Sequence, residues 1–128
     1  MATWTGEELS TIGYAEELDL SSQRDDGTLG RPVTIWVVRV ADDLYVRCMN
    51  GRSGAWYRGA RVRHQGHISA GGVEADVAFA HLDPADAAVH DQIDEVYRTK
   101  YRRFGGNIIG GVVNPDARAA TIKLIPER

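Results

Sequence analysis

The spacing of apolar residues changes period several times along the chain, and each change marks an element. Thr5-Gly6-Glu7-Glu8 has the form of a capping box, with Thr5 as N-cap and Glu8 at the third helical position. Leu9, Ile12 and Leu18 give an incomplete helical stripe, which predicts a short helix over about Gly6 to Ala15. A strand is expected over Asp19 to Arg24, followed by a turn at Asp25-Asp26-Gly27. Pro32 to Val40 is rich in β-branched residues and apolar on both faces, so it predicts one central strand. After a turn at Asp42-Asp43, Leu44, Val46 and Cys48 alternate with Tyr45, Arg47 and Met49, which predicts the second arm of a hairpin.

Periodicity breaks at Asn50-Gly51-Arg52-Ser53-Gly54-Ala55-Trp56-Tyr57-Arg58-Gly59-Ala60, which reads as a glycine-bearing loop running into a short helix. His67 to Ala70 and the Val73, Ala75, Val77, Phe79 alternation predict two strands joined at Gly71-Gly72. Asp83-Pro84 is a helix-start signal, and Val89, Ile93, Val96 and Lys100 carry the helix to about Tyr101 or Arg103. The glycine-rich stretch to Asn114-Pro115 reads as a loop in which Ile108, Ile109, Val112 and Val113 bury, and Ala119 to Ile125 as the last strand. Closely connected hairpins leave no room for βαβ crossovers, so a small mixed β-barrel with peripheral helices is expected. Its predicted lining is Val33, Ile35, Val37, Leu44, Val46, Val77, Phe79, Ile122 and Leu124.

Composition narrows the setting. The 128 residues, 43% hydrophobic and 26% charged, suit a single domain over residues 1–128 with one packed core. No apolar run is long enough to span a membrane, and the N-terminus lacks a secretory pattern. Cys48 is the only cysteine, which excludes an intramolecular disulfide and fits a reducing, cytoplasmic setting.

The net charge of −3 hides a segregation of sign. No Asp or Glu occurs between Leu44 and Val73, a stretch that holds Arg47, Arg52, Arg58, Arg61 and Arg63. Arginine forks suit phosphate or carboxylate. The acidic chain carries no nucleic-acid-binding motif, so nucleic acid is not an expected partner. A strand, a loop with two glycines and a following helix would aim backbone N–H groups at one anion. Arg47, Asn50, Arg52, Ser53, Trp56 and Tyr57 are therefore the candidate site for a phosphate- or carboxylate-bearing aromatic ligand. The competing structural role is a turn whose aromatics plug one end of the barrel. His64-x-x-His67 has metal spacing but no carboxylate nearby in sequence, and no metal site is expected. Asp91, Asp94 and Glu95 read as the wet face of the long helix, Cys48 as a buried thiol and His81 as a core or rim histidine.

Trp36-Val37-Val38-Arg39-Val40, Tyr45-Val46-Arg47, the Asn50-to-Ala60 segment, Gly71-Gly72-Val73 and Tyr97 with Lys100-Tyr101 resemble the DUF2255 family of small bacterial proteins. Ala55-Trp56-Tyr57 is more distantly similar to the deazaflavin-dependent nitroreductase group of the split β-barrel flavin-binding superfamily. Gly54 stands where that group has Pro, and Arg58-Gly59 replaces its usual continuation. The resemblance implies a mostly β, α+β chain: an FMN-binding-like split β-barrel with two to three peripheral helices. It further implies a homodimer and a deazaflavin (F420) or FMN cofactor used by an oxidoreductase on a small organic substrate. The double-faced apolarity of Val33 to Val40 supports pairing. Tyr45 and Tyr101 are the candidate proton donors. The alternative is a cofactor-free small-ligand-binding protein or biosynthetic-pathway enzyme on the same scaffold.

Overall fold

The computed structural model describes residues 3–24, 26–48, 57, 58, 60 and 63–127. Its elements in chain order are α1 (Gly6–Tyr14), β1 (Leu18–Ser22), β2 (Val33–Ile35), β3 (Val38–Val40), β4 (Asp43–Arg47), β5 (Gln65–Ala70) and β6 (Val73–His81), then α2 (Ala87–Lys100), a 3-10 turn (Arg102–Phe104), α3 (Gly106–Val113), α4 (Pro115–Ala119) and β7 (Thr121–Pro126). The strands form one antiparallel seven-stranded sheet in the order β2-β1-β5-β6-β7-β4-β3.

Strand alternation divides the apolar residues between two clusters. One face packs Leu18, Leu20, Leu44, Val46, Ile68, Val77, Phe79, Ile122 and Leu124 around the interior of the curled sheet, with Leu9 and Ile12 added by α1. All nine residues expected to line the barrel belong to this cluster, Val33 and Ile35 as its partly buried members. The other face, through Val38 and Tyr45, packs against Ile93 and Tyr97 of α2 and Ile109 and Val112 of α3.

The expected single central strand from Pro32 to Val40 is instead two short strands at the two outer edges of the sheet. Trp36 and Val37 carry the chain from one edge to the other, so the curled sheet closes on itself at this point. The run is apolar on both faces because Val37 enters the barrel core while Trp36, Val38 and Val40 pack against the helices. The apolar excess read as support for pairing is thus used within the chain. Among the described residues no ladder pairs β2 with β3 at this seam. The Tyr101 hydroxyl accepts the Val37 N–H at 3.2 Å and lies 2.7 Å from the Glu16 carbonyl and 3.1 Å from the Val37 carbonyl. Lys100 Nζ donates to the Val37 and Ala15 carbonyls, each at 2.6 Å. The Trp36 ring stacks on Tyr101 with centroids 3.9 Å apart and planes 4° from parallel.

The capping box is present as read: the Glu8 N–H donates to Thr5 Oγ1 at 3.1 Å and the Thr5 N–H to Glu8 Oε1 at 2.9 Å. Gly71 and Gly72 turn the β5–β6 hairpin at φ +60° and +89°, where a side chain would be strained. Gly66 answers a different need, since a Cβ there would stand 2.1 Å from the Ser21 carbonyl oxygen of β1. The long helix starts at Ala87 rather than at Pro84. Asp83 instead makes a preceding turn, its Oδ1 accepting the Ala85 N–H at 2.9 Å. The stretch expected as a glycine-rich loop is helical, as α3 and α4. Burial of Ile109 and Val112 outweighs the helix cost of the glycines, while Ile108 stays 45% exposed. Asn114 caps α4 by accepting the Ala117 N–H at 2.8 Å, with Pro115 in the first turn.

Candidate functional site

β4 delivers the chain to the candidate site, and Arg47 is its last residue. Arg47 points away from Leu44 and Val46, into the layer between the sheet and the helices. Its guanidinium is 2% exposed as a residue and is surrounded by the protein's own acceptors. Nε donates to Thr121 Oγ1 at 2.9 Å, and Nη1 to the Val112 carbonyl at 2.8 Å and to Asp94 Oδ1. Nη2 lies 3.0 Å from His90 Nδ1. The other ring nitrogen, Nε2, is 3.0 Å from the Asp83 carbonyl. A carbonyl can only accept, so Nε2 carries the proton and Nδ1 accepts from Arg47. Burial pushes the His90 imidazole below its ordinary range, which keeps this tautomer neutral. Arg47 also reaches the last turn of α3, where a cation complements the helix C-terminus.

This arrangement corrects one expectation. Asp94 was read as part of the wet face of α2, yet it is 6% exposed and is the counter-ion of Arg47. Asp91, four-fifths of a turn away, does face solvent and pairs with Arg118 at 2.8 Å. The signal in the sequence was the i, i+4 pair of His90 and Asp94 flanking Ile93, which sets polar groups on the buried side of the helix.

Tyr57 is fully buried in the barrel core, its hydroxyl 3.4 Å from the Ala119 carbonyl and its ring edge-on to His81 at 5.9 Å. Its ring therefore packs within the barrel-side core cluster. His81 sits on the rim with Nε2 3.0 Å from the Ala119 carbonyl. Asn50, Arg52, Ser53 and Trp56 lie outside the described residues. Tyr45 is 5% exposed in the helix-side cluster, and burial raises its hydroxyl above the ordinary phenol range. Tyr101, 1% exposed, is raised in the same way and occupies the barrel seam. Both belong to the helix-side cluster, whereas Tyr57 belongs to the barrel core. His67 is held by the facing strand, 3.0 Å from Asp76 and 3.2 Å from Glu74, carboxylates that are distant in sequence spacing but adjacent across the β5–β6 hairpin. Cys48 is buried.

A second feature was not read from the sequence. α1 and the C-terminal half of α2 flank a cleft of about 610 Å³ over edge strand β3. Leu9, Ser10 and Tyr14 line one wall, Val96 and Thr99 the other, and Arg39, Lys100 and Arg103 bring charge to it. Burial pushes the Lys100 ammonium down to about 8. Arg103 is paired with Glu16.

A curled antiparallel sheet whose edges meet at one seam, with helices on the outer face, is a split β-barrel. Solved structures share it along most of their length. The heme storage protein HutZ of Vibrio cholerae matches with a TM-score of 0.63 and 16% identity, over 95% of this chain and 89% of that one. An FAD-binding protein of Mesorhizobium loti matches with 0.58 and 16%, over 98% and 92%. An F420 reductase matches with 0.53 and 15%, over 93% and 92%. The chain belongs to the DUF2255 family, described as uncharacterized proteins conserved in bacteria, whose model matches residues 8–124. No curated protein matches the sequence. Among the described residues no helix is long and apolar enough to cross a membrane.

Proposed function

We propose that this chain is a cytoplasmic, homodimeric oxidoreductase that uses reduced deazaflavin (F420) or FMN on a small organic substrate. The observation that supports it is the split barrel itself, shared over nine-tenths of the chain with an F420 reductase and an FAD-binding protein. The donor set fits such a cofactor in part. Arg52 and Ser53, between Gly51 and Gly54, and the preceding Asn50 amide match a phosphate in chemistry, and Trp56 supplies a flat border for a ring. Arg47 does not fit as a phosphate ligand, because its donors are met by Asp94, Thr121, Val112 and His90. In this proposal Arg47 anchors the end of β4 and so fixes where the Asn50–Trp56 segment begins. Tyr57 serves as the barrel-side footing of that segment. Tyr45 and Tyr101, both buried, act as framework rather than as proton donors. The cofactor, when bound, supplies the hydride, and the protein orients it and excludes water.

The test is titration of the purified protein with FMN and with F420, followed by fluorescence. Micromolar binding of one of them is expected, weakened about ten- to a hundredfold in Arg52→Ala, the loss of one charge-assisted hydrogen bond of roughly 1.5–3 kcal/mol. The melting temperature of that variant should stay at the wild-type value. Binding of neither cofactor overturns the reading in favour of cofactor-free ligand binding, which the α1–α2 cleft independently favours.

A further inference from the structure

The Lys100 ammonium is part-buried, lines the α1–α2 cleft and stands 5.0 Å over the Tyr101 ring, with no counter-ion among the described residues. Its two short bonds run to neutral carbonyls, those of Ala15 and Val37. Among the described residues no carboxylate perturbs it; burial alone accounts for its weakened basicity. A tetrahedral ammonium with two N–H groups so fixed has one N–H left. The cleft it lines falls within the size range of small-molecule sites. Its walls are largely apolar, from Leu9 and Val96, and the Tyr14 ring stands 88% exposed at its margin. Three cations and two carboxylates, Glu16 and Glu95, line it, so a single positive charge is unmatched.

We propose that this cleft binds a small aromatic monocarboxylate, whose carboxylate takes the remaining N–H of Lys100 and whose ring lies between the apolar walls of α1 and α2. The charge balance selects a monoanion over a phosphate dianion, which would meet Glu16 and Glu95 with one charge too many. The site does not depend on a cofactor and is separate from the Asn50–Trp56 segment in its residues. Affinity should follow the protonation of Lys100, falling as pH rises through about 8. The other charged groups facing the cleft are Arg39 from β3, Arg103 and Glu16, which pair with one another, and Glu95 from α2. Guanidinium and carboxylate groups do not titrate in that range. Tyr101, next to Lys100 and within the field of Glu17, is raised further out of it by burial.

The probe is naphthalene-2-carboxylate, with neutral naphthalene-2-carboxamide as control, titrated by calorimetry at pH 6.5 and pH 9. The carboxylate should bind about tenfold more weakly at pH 9, one unit above the Lys100 midpoint, while the amide shows no step. Lys100→Met should remove the step. Thr99→Phe, changed at an exposed position, should fill the cleft and abolish binding of the carboxylate. Tyr14→Phe, which deletes the remaining titratable group at the margin, should retain the step. Arg52→Ala should leave carboxylate binding as in wild type, which separates this site from the cofactor proposal. The assignment is overturned if the carboxylate does not bind, if carboxylate and amide respond alike to pH, or if Thr99→Phe binds as wild type does. Should Lys100→Met fail to fold, the wild-type contrast between carboxylate and amide together with Thr99→Phe decides the matter.

Discussion

Arg47 shows how a buried charge is made tolerable. Removing a guanidinium from water is expensive, and the expense is offset only when every donor is met in good geometry. Asp94, His90, Thr121 and the Val112 carbonyl do this together, from α2, β7 and α3. Arg47→Met should therefore cost about 3–5 kcal/mol in urea denaturation, because it leaves the buried Asp94 carboxylate with the looser Arg118 contact at 3.8 Å in place of Arg47. The double variant Arg47→Met/Asp94→Leu should recover a large part of that loss; equal losses in single and double variants would show the pair to be uncoupled. His90 adds a pH signature. Its folded imidazole is held below the ordinary value, so the unfolded chain binds the extra proton first as pH falls below about 6.5. Stability is fully present above that pH and declines below it, through the depressed folded value. Between pH 7 and pH 5 the melting temperature of wild type should drop relative to that of His90→Gln, in which the opposing contribution of His67, raised by Asp76 and Glu74, is unchanged. Strand alternation in the sequence did place Arg47 opposite Leu44 and Val46. What it lacked was the partner, because Asp94 lies 47 positions away and its spacing with Asp91 and Glu95 resembles a solvated helix face.

At the scale of elements, the Val33–Val40 run separates what periodicity can and cannot deliver. Its β character was legible from Val33, Thr34, Ile35, Val38 and Val40. Its division was not, since a strand apolar on both faces and a strand that changes sheet edge have the same composition. The seam is held by Tyr101, so Tyr101→Phe leaves the Val37 N–H without its acceptor while keeping the ring stack on Trp36. A cost of about 1–3 kcal/mol follows for the orphaned donor. Thermal and urea melts should show that loss with the far-ultraviolet spectrum unchanged; a melt equal to wild type would mean the seam is held without it. α3 fails in the opposite direction. Gly105, Gly106, Gly110 and Gly111 read as a loop, yet the i, i+3 pair Ile109 and Val112 is buried on one side of a helix, and Asn114 caps the short helix that follows. Tertiary burial decided between them.

For the whole molecule, the barrel interior was the most legible part, because period-2 placement alone put nine residues into the core that the structure assembles. The helix-side layer was least legible, being made by contacts between residues far apart in sequence. The proposed homodimer belongs at this scale. Light scattering at micromolar protein concentration should give twice 14.1 kDa, and a 14.1 kDa species would refute pairing.

The place of β7 has a consequence for synthesis. β7 sits between β6 and β4, paired to both, though it follows every other described strand in sequence. While a ribosome is still making residues up to Pro126, β4 and β6 each present an edge with unsatisfied backbone groups, in a chain that already holds the other described strands. Such edges recruit strands from other chains. At translation speeds of roughly 5–20 residues per second, the 45 positions from His81 to Pro126 leave that gap open for a few seconds. The nascent chain is thus exposed to misassociation until Thr121–Pro126 has been made, and β7 acts as the closing stitch.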